Sequence, residues 1–169
     1  MNAEATRYFG KHRGTVVNIL DPERRARLQA VVPDVLGSEA SAWAMPAVPF
    51  AGPGAGFVAL PPLGAGVWIE FEQGNPDYPI WTGCWWGSGS ELPSIVQPSQ
   101  PAIEQIALAT AGRQSLVISD LPGANGGIAI RTAAGAHISI TDESIVIDNG
   151  HGAAITLSGN RVRITGVMS

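Results

Sequence analysis

The chain of 169 residues holds one cysteine, one lysine and, after Trp86, no aromatic residue at all. Each absence excludes something. A lone Cys84 rules out an internal disulfide and a CxxC metal pair; its apolar setting, WTGCWW, places it as a packed core thiol. Charged residues make up 14%, against roughly 25% in soluble domains, so there is little charge to cover a large lone surface. The one lysine, Lys11, and the flanking of Arg24, Arg25 and Arg27 by Asp21 and Glu23 leave a nucleic-acid-binding face without electrostatic support, and the three arginines read as a solvated strand face. No apolar stretch runs uninterrupted to the roughly 18 residues of a membrane helix. The N-terminus lacks the apolar core of a signal peptide, so cytoplasmic residence before any assembly is expected. A chain of this length holds one ordinary domain or two small ones, which excludes a large multidomain enzyme.

What is present is unevenly spread. All eleven aromatic residues lie between Tyr8 and Trp86, and twelve of the thirteen prolines at or before Pro101. From Gln105 onward the chain is almost entirely Ile, Val, Leu, Ala, Gly, Ser, Thr, Asn and Asp. Two domains are expected, residues 1–88 and 105–169, joined by a polar, Pro-containing linker at 89–104.

The first domain reads as short strands. Residues 14–20 (GTVVNIL) form a β-prone run, Asp21-Pro22 opens a turn, and residues 25–33 (RARLQAVVP) return as the second arm of a hairpin. Residues 43–50 carry Pro46 and Pro49, which suits an irregular or edge strand. A Gly/Pro loop follows at 51–56. Residues 67–72 then place Val67, Ile69 and Phe71 on one face, and the QGNPD turn leads to a strand at 79–86. Five or six strands in about 80 residues, without a helical period, predict a small barrel of OB type.

The second domain repeats itself. IALATAG at 106–112 resembles IAIRTAAG at 128–135, an offset of 22 residues, and GAHISI at 135–140 recurs as GAAITL at 152–157. Each unit is a short period-2 strand bounded by Gly, Asn or Asp turns, the mark of a β-solenoid or stacked prism. Such strands cannot bury an aliphatic face alone. A threefold prism, each chain supplying one wall, would put Ile128, Ile130, Ile138, Ile140, Ile145, Ile147, Ile155, Leu157, Val162 and Ile164 on the trimer axis. The expected fold class is therefore all-β, an N-terminal OB-fold barrel followed by an intertwined trimeric β-helix or β-prism.

The first domain resembles a known family. Trp43, then FAGPGAG at 50–56 and LPPLGAGVWIEFEQGNPDYPIWTG at 60–83 resemble the OB domain of contractile-tail spike proteins, the phage baseplate assembly protein V and VgrG group. The repeats from 105 resemble the triple-stranded β-helix that follows it there. The resemblance implies a homotrimeric central spike of a phage tail, a tailocin-like particle or a type VI-like apparatus. It caps the tube or hub and pierces the target envelope, and it touches the target membrane only on piercing. The hub of VgrG proteins would here be a separate trimeric polypeptide, and a PAAR-type tip protein would bind at Gly166, Val167, Met168 and Ser169. The lysozyme-like insert of some relatives is missing, and so is their axial His-x-His iron pair.

Chemistry finds little footing in the residues. No catalytic, cofactor-binding or metal-ligating set is expected, and the protein reads as a non-enzyme. His12 sits among basic residues and reads as solvated, His137 alternates outward from the prism, and His151 lies in a turn. Glu70 and Glu72 share the polar face of one strand. Base stacking on an OB face needs aromatics interleaved with Lys or Arg, and none occurs between Trp43 and Trp86; no nucleic acid partner is expected. The alternative from another class is an OB-fold protein that binds single-stranded nucleic acid, with a β-solenoid oligomerisation tail. A glycan-binding or glycan-cleaving β-helix is a third, weakened by the lack of aromatics and paired acids in the repeats.

Overall fold

The computed structural model describes residues 6–96 and 104–166, in two compact units, Met1–Glu91 and Leu92–Ser169. Both are built of strands. The first contains β1 (His12–Asn18), β2 (Gln29–Val31), the single-turn helix α1 (Pro33–Leu36), β3 (Met45–Pro46), the small hairpin β4 (Ala51–Gly52) and β5 (Ala55–Gly56), then β6 (Gly66–Phe71) and β7 (Pro79–Trp85). Its main sheet runs in the order β2-β1-β6-β7-β3. Residues 40–46 close it. Leu28 bridges Ala44 and Val31 bridges Ala40 on the β2 side, while Met45 and Pro46 pair in parallel with Ile80 and Trp81 of β7. The result is the OB-like barrel that the spacing predicts.

Period-2 alternation fills it. Val67, Ile69 and Phe71 of β6 point inward with Val16, Leu28, Ala30, Val32, Ala44 and Trp81, all at or below 6% exposure. The Trp81 indole N–H donates to the Ala26 carbonyl, so its polar edge is satisfied inside the wall. Gly66 is glycine for a packing reason: a Cβ there would lie 2.6 Å from the Trp85 ring.

Several expectations from the sequence are corrected. The return strand begins at Gln29 rather than residue 25, because residues 21–27 wind around the Asp21 carboxylate. That group accepts backbone N–H bonds from Glu23, Arg25 and Arg27 and both Nε and Nη2 of Arg27. Arg24 and Ala26 take left-handed φ values of 53° and 58°. Arg27 is therefore no solvated strand residue: it is buried, its guanidinium lies 5.7 Å over the Trp43 ring, and it holds the Asp21 carboxyl well below the usual carboxylate range. His12 is likewise not solvated. Alternation along β1 turns it to the inner side with Gly14 and Val16, where its ring packs 5.5 Å from Phe71 and 6.2 Å from Tyr8. Cys84 is exposed rather than packed in the core. Trp81 is the last residue of β7 buried in the core, and beyond it β7 has only β6 alongside.

The second unit is one antiparallel meander of seven strands: β8 (Gln105–Ala109), β9 (Ser115–Ser119), β10 (Gly127–Arg131), β11 (His137–Ile140), β12 (Ile145–Asp148), β13 (Ala154–Ser158) and β14 (Arg161–Thr165). Every ladder joins consecutive strands of the same chain. Gly127 starts β10 at φ +79°, and a Cβ on it would fall 2.0 Å from the Ile140 carbonyl oxygen, so no other residue keeps the β10–β11 ladder closed.

Candidate assembly face

The register of the meander decides what its two faces are. Ile106, Ile118, Ile128, Ile140, Ile145, Leu157 and Val162 stand opposite one another in succession, one from each strand. Two residues along, Leu108, Leu116, Ile130, Ile138, Ile147, Ile155 and Ile164 do the same. Two unbroken columns of seven aliphatic side chains thus run across the sheet, a span of about 29 Å at the usual strand spacing of about 4.8 Å. The other face carries a central column of Ala107, Val117, Ala129, Ser139, Val146, Thr156 and Arg163.

The aliphatic face is bare. All of its residues except Leu116 are 40–67% exposed, whereas side chains of this kind belong among the most buried in a folded protein. Covering the exposed half of each is favourable by about 1 kcal/mol, and the columns supply thirteen such side chains per chain. All ten residues that the sequence places on a threefold axis lie on this one face. The register adds Ile106, Leu108, Leu116 and Ile118, which complete the columns at the β8 and β9 end. Their signal was the same alternation, in QIALA and SLVIS. Of the four residues expected to receive a tip protein, Gly166 is exposed after β14, and Val167, Met168 and Ser169 lie outside the described residues.

Turns fix the register on both edges. Along one edge, residues 110–114, 132–136 and 149–153 make the same five-residue loop: the first N–H of each donates to the last carbonyl, at 3.0, 2.9 and 3.1 Å for Thr110, Thr132 and Asn149. Along the other edge, Thr141 Oγ1 accepts from the N–H groups of Glu143 and Ser144. The His137 ring nitrogen Nδ1 lies 3.2 Å from the Gly135 carbonyl, and His151 is exposed in its turn.

Part of the barrel's surface chemistry is satisfied locally. Lys11 pairs with Glu70 at 2.9 Å, and Arg13 lies over both Trp68 and Trp85, at 5.7 and 5.1 Å. The strand ends at Phe71, so Glu72 belongs to the turn that follows rather than to a shared strand face with Glu70. A cleft of about 450 Å³ is lined by Ala47, Val48, Pro49, Phe57, Ala59, Trp81, Thr82 and Gly83, without a titratable side chain. Among the described residues no three His, Cys, Asp or Glu side chains gather as a metal site would require.

A barrel with its own core, followed in sequence by a sheet whose core face is left open, defines a structural protein that assembles through its second unit. Known protein families place it further. Residues 12–86 match the type VI secretion system/phage-baseplate injector OB domain, and residues 105–168 match the phage baseplate V C-terminal trimerisation domain. The chain belongs to the spike proteins of the baseplate V and VgrG type, with a structural role in a phage baseplate or type VI-type injector. Its second unit is a trimerisation domain. No curated protein matches the chain.

Proposed function

We propose that three copies of this chain form the central spike of a contractile injection apparatus. In this role the barrels cap the tube on a separate trimeric hub, and the sheets form a three-walled prism closed on the two aliphatic columns. A PAAR-type tip protein sits at the C-terminal end, on Gly166, Val167, Met168 and Ser169. Sheath contraction drives the object through the target envelope, which is its only encounter with a membrane. The task is mechanical and uses no catalysis. The chain is made in the cytoplasm and ends in the tail baseplate or contractile particle.

The observation that carries the reading is the pair of seven-residue columns, unbroken and bare on one face. The same register bears on how load is carried. Because the ladders of the meander join consecutive strands of one chain, each wall is hydrogen-bonded in itself, and the aliphatic columns supply the packing between walls. Arg13 lies over Trp68 and Trp85, so base stacking on those rings, as the nucleic-acid alternative requires, would compete with its guanidinium.

The test is genetic and structural. Particles purified from the producing cell should carry three copies of the chain at the baseplate, and particles assembled without it should fail to inject. Particles that lack the chain and inject normally would overturn the proposal.

A further inference from the structure

The two edges of the meander carry opposite charge. The edge made by the loops at 110–114, 132–136 and 149–153 holds Arg113, Arg131, His137 and His151, with Asp148 as its one carboxylate. The edge made by the turns at 120–126, 141–144 and 159–160 holds Glu104, Asp120, Asp142 and Glu143, with Arg161 as its one base. Asp148 is engaged locally, accepting the Gly150 N–H at 2.6 Å. Among the described residues, every ion pair lies in the barrel and none in the meander. The edges are a strand's length apart, about 17 Å for five residues, so charges on one cannot reach those on the other within a chain.

From this we infer that neighbouring copies meet basic edge to acidic edge, in a head-to-tail ring in which each copy gives one edge and receives the other. The inference rests on the trimer reading above and specifies how the trimer closes. A twofold axis that reverses the sheet would bring like edges together and set four carboxylates against four, whereas rotation about an axis parallel to the columns brings each basic edge to a neighbour's acidic edge, and with three walls that heterologous contact closes. Rotation without translation also keeps each level of one wall beside the same level of the next. Arg113 lies in the loop between β8 and β9, and Glu104 and Asp120 flank the far ends of those same two strands. Arg131 and His137 end β10 and begin β11, facing the level of Asp142 and Glu143 in the turn after β11. These contacts select the closed ring and its register, while the aliphatic columns supply most of the affinity.

Charge exchange across the edges tests this. Arg113→Glu and Asp120→Arg should each weaken the trimer, measured by mass photometry on a dilution series, by roughly tenfold or more at low salt, since three contacts change at once. The double variant should recover most of the loss, because the exchanged charges meet again on neighbouring copies. Molar salt should shrink all three differences. The pair Arg131→Glu and Glu143→Arg repeats the test at the second level, should the first exchange disturb folding. Double variants no tighter than the sum of their singles, in a wild-type chain that is trimeric, would overturn the edge pairing and leave the trimer standing. A wild-type chain that is not trimeric at micromolar concentration would overturn both.

Discussion

The two units solve the burial problem in opposite ways. The barrel turns nine hydrophobic side chains inward and leaves them at or below 6% exposure; the meander buries none of its hydrophobic side chains to that degree and presents fourteen aliphatics on one side. Among the described residues, the ion pairs, Lys11–Glu70, Arg25–Glu23 and Arg27 with Asp21 and Glu23, all lie in the barrel. The first unit closes a core of its own, although Phe9, Leu20, Val58 and Trp86 stand on its surface more than 60% exposed. The second is one wall of a core that other copies must complete, which explains how a unit without aromatics can be stable: aromatics fill a closed interior, whereas flat aliphatic columns fit against copies of themselves.

All five Trp residues lie in the barrel, so indole fluorescence reports that unit alone and particle mass reports the other. The largest expected effect is on mass. Ile140→Asp or Ile155→Asp sets three carboxylates facing one another in an apolar seam, which should abolish trimers while the barrel keeps its Trp emission. A trimeric mass in either variant would remove these residues from the interface. Next comes the converse. Leu28→Ala, at a site with 0% exposure, should cost the barrel about 2–5 kcal/mol in Trp-monitored denaturation and leave the trimer mass unchanged.

A smaller effect concerns the turn around Asp21. Its carboxyl is depressed by Arg27 in the folded chain, so its stabilising contribution is full above the unfolded value near pH 3.9 and is lost as pH falls further. The midpoint of the Trp transition should decline on acidification below about pH 4, and Asp21→Asn should lower stability at pH 7 while flattening that decline. The smallest expected effect is at Cys84, which is exposed: Cys84→Ser should shift barrel stability by no more than about 0.5 kcal/mol, where a core thiol would cost more.

How much of this was legible in the sequence differs between the units. The meander could be read almost strand by strand, because alternation of Ile with Ser, Thr or Ala survives as a period of two and Gly or Asn marks the turns. What stayed hidden was the register at its start, which links Ile106, Leu108, Leu116 and Ile118 to the columns through a long β9–β10 connection. The barrel's strands were legible in β1, β6 and β7. Its closure was not, since the segment at 40–46 contributes isolated bridges and a two-residue strand without a pattern. Nor was the Asp21 turn, where a carboxylate holds non-glycine residues in left-handed backbone at Arg24 and Ala26. His12 and Cys84 misled for one reason: their sequence neighbours suggested a setting that strand phase and strand length overrode.

The most direct test of the central claim, that the meander is the trimerising element, is the mass in solution of the full chain beside a chain ending at Glu104, both measured by light scattering. The full chain should weigh three times its 17.5 kDa, about 50 kDa, and the shortened chain should weigh as a single barrel. A monomeric full chain, or a shortened chain as stably trimeric as the whole, would contradict it.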